Sequence, residues 1–130
     1  TLGWEGGYDT INAWRETEVA VGLQMERAAV DTVAAEFGLR VLDTGFAYHL
    51  TSREVSKGDA LEHVTAALDI PLTGVVAIGD SENDVSMFER VEESYAVANA
   101  DRAATAAASY VTSQPHHAGL TDILERLRAD

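Results

Sequence analysis

The chain has 130 residues, 46% of them apolar, and no cysteine; this fits one domain, or a small domain plus part of another, and excludes disulfides and thiolate metal sites. Twenty-two acidic residues against nine Lys+Arg give a net charge of −13, which disfavours nucleic acid and anionic membranes, since both are bound through cationic patches. No apolar run approaches the ~20 residues that span a bilayer and no signal-peptide pattern opens the chain, so a cytoplasmic protein is expected.

Residues 1–10 are rich in glycine and aromatics (Gly3, Trp4, Gly6, Gly7, Tyr8) and lack an initiating Met, which suggests an interior cut of a longer chain. Trp4 and Trp14 are expected to pack inside a small domain. Arg15 suits either a carboxylate ligand or a surface pair with Glu16 or Glu18. Glu16 to Leu23 has strand character, and Met25, Ala28, Ala29, Val33 and Phe37 then recur at helical spacing, with Gly38 as the stop. Leu39 to Leu42 reads as a strand, Asp43-Thr44-Gly45 as a turn and Phe46 to Leu50 as a second strand. Ser56 opens a helix with Leu61, Val64 and Leu68 on one face, ending before Pro71. Val75 to Ile78 is an unbroken apolar run, as in a parallel strand covered on both faces. Asp84 to Val91 is predicted helical, Tyr95 to Ala98 a strand, Asp101 to Ala108 an alanine-rich helix and Tyr110-Val111 a short strand. Leu120, Ile123, Leu124 and Leu127 mark an amphipathic C-terminal helix. Strict alternation from residue 56 onward predicts a doubly wound α/β layer, and residues 1–50 a separate, smaller α+β piece.

The densest chemistry lies in Gly79-Asp80-Ser81-Glu82-Asn83-Asp84-Val85-Ser86-Met87-Phe88. Ligands of open α/β sheets gather beyond the carboxyl ends of strands, where Asp80 falls, and Asp84 follows across the first helical turn. Two such carboxylates supply the partial shell that Mg²⁺ takes alongside water and a substrate phosphate. The plainer reading is capping by the S-x-x-D pair Ser81 and Asp84, but capping leaves Asp80 and Asn83 unexplained. An EF-hand is excluded, because its sixth position would be Val85 rather than Gly and its twelfth Val91 rather than Glu. Lys57 is the only lysine beside eight arginines. It stands in the first turn of its helix, where the macrodipole disfavours a cation and where an ammonium beside backbone N–H groups makes a phosphate clamp. The alternative is a solvated lysine offsetting Glu54 and Asp59.

Lys57 followed by the G-D-S-x-N-D-x-x-M-F run resembles the haloacid dehalogenase (HAD) superfamily of aspartate-dependent phosphatases, over about Ser56 to Ala100. The resemblance implies a partial HAD-like Rossmannoid three-layer core, with 53–130 as its C-terminal half. Asp43-Thr44-Gly45-Phe46-Ala47-Tyr48-His49-Leu50 resembles the end of a C2-type α+β cap in the archaeal phosphoglycolate phosphatase branch, making 1–52 the C-terminal part of that cap. The superfamily resemblance further implies Lys57 as the catalytic phosphate-binding lysine, Asp80 and Asp84 as Mg²⁺ ligands, and Asn83 and Asn99 as substrate-binding residues. The expected substrate is a small phosphorylated metabolite, phosphoglycolate first, with a sugar phosphate as the alternative. The family's D-x-D motif, which carries the attacking aspartate, occurs nowhere in these 130 residues. Residues 1–130 alone are therefore expected to be inactive, or to act as a non-catalytic piece that needs a partner or an upstream segment.

Val41-Leu42-Asp43-Thr44-Gly45 also matches the apolar-apolar-D-T-G of aspartic proteases, but Phe46 departs from that pattern and the chain is too helical. His116 and His117, between Pro115 and Gly119, read as loop residues, and His49 as a strand residue, with a substrate-facing position as the alternative that the cap resemblance offers. An exposed sheet edge would favour a homodimer or other association. The acidic, lysine-poor composition suits a halophilic cytoplasm, where salt screens self-repulsion within a few ångströms.

Overall fold

The computed structural model describes residues 12–129. Its contacts divide the chain into two compact units, Thr1–Val55 and Ser56–Asp130.

The first unit is a three-stranded antiparallel sheet with a helix. Strand β1 (Glu18–Gly22) and strand β2 (Leu39–Asp43) flank β3 (Ala47–Ser52), and helix α1 (Arg27–Glu36) joins the first two. Val19 faces Leu50 and Ala20 faces His49 across the first ladder, and Val41 faces Leu50 across the second. The core is Val21, Val30, Ala34 and Leu50, with Met25, Leu39, Val41 and Tyr48 packed on it. Gly38 ends α1 at φ +68°, the left-handed stop that glycine takes without a Cβ penalty. Gly45 has φ +76° and donates its N–H to Asp43 Oδ1 at 2.8 Å, so the D-T-G tripeptide is an Asx-type turn. Two sequence expectations fail here. Phe37 is 74% exposed rather than on the buried face of α1, and Trp14 is 87% exposed rather than packed. In α1 the buried positions are Val30 and Ala34, i and i+4, so the inward stripe is rotated from the predicted one. Trp4 lies outside the described residues.

The second unit carries a parallel sheet in the order β4 (Val76–Gly79), β5 (Glu93–Ala96), β6 (Tyr110–Val111). Helix α2 (Lys57–Ala67) precedes β4, α3 (Val85–Phe88) follows it, α4 (Arg102–Ala107) lies between β5 and β6, and α5 (His116–Ala129) closes the chain. Ala77, Phe88 and Ala104 form the core, with Met87, Val91, Ala100, Ala107 and Ala108 against it. The small side chains of the alanine-rich α4 make that packing close. The helix predicted over 84–91 is a 3₁₀ turn at Glu82–Asp84 running into the single α-turn of α3, because Asp84 is spent in closing the loop. The histidines 116 and 117 open α5 rather than lie in a loop; Gly119 is buried in that first turn, with Pro115 O accepting from its N–H at 3.3 Å. On α2 the buried positions are Gly58 and Thr65, while Val64 and Leu68 are 54% and 63% exposed. Of the predicted apolar face, Leu61 is half-buried, whereas Val64 and the C-cap Leu68 are uncovered among the described residues.

Candidate phosphate and metal site

Parallel pairing aligns Gly79 with Ala96, so the segment after β4 emerges at the carboxyl end of the sheet, where side chains of several elements can converge. Asp80 follows Gly79 directly, and the chain then turns so that Asp84 reaches back over it. Asp84 Oδ2 accepts the N–H groups of Asp80 at 2.9 Å and Ser81 at 3.2 Å, completing the capping box with Ser81. Asp84 is 4% exposed. Gly79 makes room for this: a Cβ there would stand 2.5 Å from the Asp84 carboxylate.

Lys57 enters from the first position of α2, after the N-cap Ser56, whose hydroxyl accepts from Asp59 N. Its Nζ donates to Asp84 Oδ1 at 2.5 Å and to Asn83 Oδ1 at 3.1 Å. The Ser81 hydroxyl also donates to Asn83 Oδ1, at 2.7 Å. Burial of Asp84 leaves its charge with little water, so the ammonium and the two backbone amides are its compensation. The Lys57 side chain keeps 48% of its surface exposed, so the ammonium is held by the protein on one side and open to an anion on the other.

The structure thus brings Lys57, Asn83 and Asp84 into one hydrogen-bonded group, with Asp80 beside them in the chain. The two aspartates differ. Asp84 is turned inward and occupied by three donors, whereas Asp80 is exposed and its carboxylate accepts no hydrogen bond among the described residues. Among those residues no group of three or more His, Asp or Glu is placed to enclose a metal. That donor set still fits Mg²⁺, which takes one or two protein carboxylates and fills its octahedron with water and phosphate oxygen. Asn99 is engaged elsewhere: its Oδ1 accepts from His116 N at 2.6 Å. In the first unit His49 Nδ1 meets Glu18 Oε2 at 3.0 Å, and Arg15 also pairs with Glu18.

Three residues of this neighbourhood escaped the sequence reading. Asp101 caps α4 through Ala104 N at 2.8 Å, and its other oxygen accepts from Glu82 N at 2.7 Å. Its own N–H donates to Asp80 O at 2.8 Å, so one residue ties the loop that presents Asp80. The capping half of this role is written in D-R-A-A; the long-range half is not. Ser86 and Arg90, at i and i+4, bind the start of α2, and their spacing alone marks nothing beyond a helix surface.

Residues 28–124 match the family model for haloacid dehalogenase-like hydrolases. The chain is 52% identical over 128 residues to a phosphoglycolate phosphatase of Halorubrum lacusprofundi and 47% identical over 128 residues to one of Halobacterium salinarum. It covers 97% and 98% of itself in those matches but only 56% of either relative. The chain therefore spans little more than half the length of these relatives. Among solved structures, a haloacid dehalogenase-like hydrolase from B. subtilis matches with a TM-score of 0.71 at 26% identity, over 85% of this chain and 40% of that one. A Thermoplasma acidophilum protein matches in fold with a TM-score of 0.75 at 24% identity, over 90% of this chain and 52% of that one.

Proposed function

The chain belongs to the haloacid dehalogenase-like hydrolase family, and from that premise we propose that it forms the phosphate- and metal-holding half of a Mg²⁺-dependent phosphatase for a small phosphorylated acid, phosphoglycolate first. One observation carries the reading: an ammonium at a helix start, pinned by a buried carboxylate, beside a second carboxylate left open at the carboxyl end of a parallel strand. The substrate choice leans on the name of the halophilic relatives.

In this scheme Lys57 receives the phosphate dianion and offsets its charge, while Asp84 and Asn83 fix the direction of the ammonium. Asp80, with its neighbour Asp84 behind it, would hold Mg²⁺, which when bound neutralises charge on the transferring phosphoryl oxygens. Catalysis of this kind is positioning plus electrostatics around an attacking group. The attacking aspartate would come from a D-x-D segment that residues 1–130 do not contain. There the phosphorus–oxygen bond to the alcohol breaks as an aspartyl-phosphate forms, and water then releases phosphate.

The test compares residues 1–130 with a polypeptide that supplies D-x-D ahead of them. Residues 1–130 should show no Mg²⁺-dependent hydrolysis of phosphoglycolate above buffer, and the longer polypeptide should show it. In the latter, Lys57→Met should lower kcat by about 10²–10³-fold, the usual cost of losing one charge-stabilising donor. Robust turnover by residues 1–130, or an unimpaired Lys57→Met enzyme, would overturn the scheme.

A further inference from the structure

We propose that Arg90 is a positioning residue for Lys57, clasping the first turn of α2 onto α3 and so fixing where the ammonium stands against Asp84. The inference rests on reading Lys57 as the phosphate anchor. Lysine is a long side chain with four rotatable bonds, so an ammonium directed at one point needs a backbone that does not drift. Every residue around Lys57 in that turn is tied down. Gly58 N donates to Ser86 Oγ at 3.0 Å, and a Cβ on Gly58 would overlap the Ser86 carbonyl oxygen, so the two segments touch backbone to backbone. Arg90 then spans the contact with its three nitrogens. Nη1 donates to Ser86 O at 3.1 Å, Nη2 to Asp59 Oδ1 at 2.7 Å, and Nε pairs with Glu62 Oε1 at 2.7 Å. The second oxygen of Asp59 accepts from the hydroxyl of Ser56, the N-cap that precedes Lys57, at 2.5 Å.

A planar guanidinium can bond in these three directions at once, and a point-charge ammonium cannot. The plainer account makes Arg90, Asp59 and Glu62 a surface ion-pair network that adds little stability per pair. It predicts nothing about Lys57. The clasp does, because two of the three bonds end on α2 within five residues of Lys57, and the third on the carbonyl that Gly58 abuts.

The sequence provides the probe: Lys57 is the only lysine, so ¹⁵N-labelled residues 1–130 give a single lysine ammonium signal. In the absence of phosphate and Mg²⁺, Arg90→Gln should speed hydrogen exchange of that ammonium by about tenfold, the size expected for a lost charge-assisted contact. The Asp80 and Ser81 amides, held by Asp84 and not by Arg90, should keep their exchange rates. Asp59→Asn, a milder change at a partly exposed position, should move the ammonium in the same direction and decides the matter if Arg90→Gln does not fold. Unchanged ammonium exchange in the folded variants overturns the clasp and leaves a purely stabilising network. Titration with inorganic phosphate is the separate arm: an ammonium that responds to Arg90→Gln but not to phosphate would refute the anchor reading alone.

Discussion

Two aspartates four residues apart carry equal weight in the sequence and unequal weight in the fold. Asp84 is buried, accepts two backbone amides and holds Lys57; Asp80 is exposed, its carboxylate accepting none among the described residues. Asp84→Ala would strand a lysine and two amides, so it should destabilise residues 56–129 by about 3 kcal/mol. Asp80→Ala should stay within about 0.5 kcal/mol, as an exposed substitution does. Urea midpoints of the two variants check this, and equal losses would overturn the unequal roles of the two aspartates. Gly79 belongs to the same argument. Gly79→Ala places a methyl 2.5 Å from the Asp84 carboxylate and should cost about 1–3 kcal/mol through displaced hydrogen bonds, with loss of Asp80 and Ser81 amide protection in hydrogen exchange.

At the scale of elements, the start of α2 is the sensitive point. Asp59 is held below its ordinary carboxylate value of 3.8 chiefly by the Ser56 hydroxyl, with partial burial opposing and Arg90 assisting. Its folded pKa lies below its unfolded one, so its contribution is fully present above about pH 4 and is lost as pH falls through the folded value. Thermal unfolding followed from pH 5 to pH 2 should fall less steeply in Asp59→Asn than in the parent. At the other end of the titration, the Glu93 carboxylate beside the Tyr95 hydroxyl, together with burial, raises the tyrosine pKa above 10.0. That contribution is complete below pH 10 and fades as pH rises through the folded value.

For the whole molecule, a charge of −13 on 130 residues makes self-repulsion a long-range cost that salt removes. The named relatives of Halobacterium and Halorubrum fit that composition. Melting temperature of residues 1–130 should rise as KCl goes from millimolar to molar, and maximal stability in dilute buffer would sink the halophilic reading. Among the described residues β4 pairs only with β5, and Val64 of α2 and its C-cap Leu68 are exposed. An open strand edge and an uncovered apolar face favour association. Residues 1–130 should therefore self-associate with concentration in sedimentation, and Leu68→Lys should reduce it.

Much of the order of elements was legible. The unbroken apolar run Val75–Ile78, the capped start at Ser56 and the glycine stop at Gly38 are local signals, and each element they mark is present. The D-S-x-N-D loop and the isolated lysine were legible as chemistry for the same reason, since residue type and spacing suffice to mark a strand-end loop and a helix start. What periodicity missed was which face is buried: Phe37, Val64 and Leu68 are as apolar as the positions that pack, and only the neighbouring elements select among them. Sequence by itself thus determined the family, the alternation of elements and the residues that carry charge beside the strand end. Tertiary structure alone decided that Asp84 turns inward to Lys57 while Asp80 stays open, and that Asp101 and Arg90 hold the two sides of the site. Those choices depend on backbone approaches at Gly79 and Gly58, between residues that are 5 and 28 positions apart in Gly79–Asp84 and Gly58–Ser86, and no local pattern encodes a distance between elements.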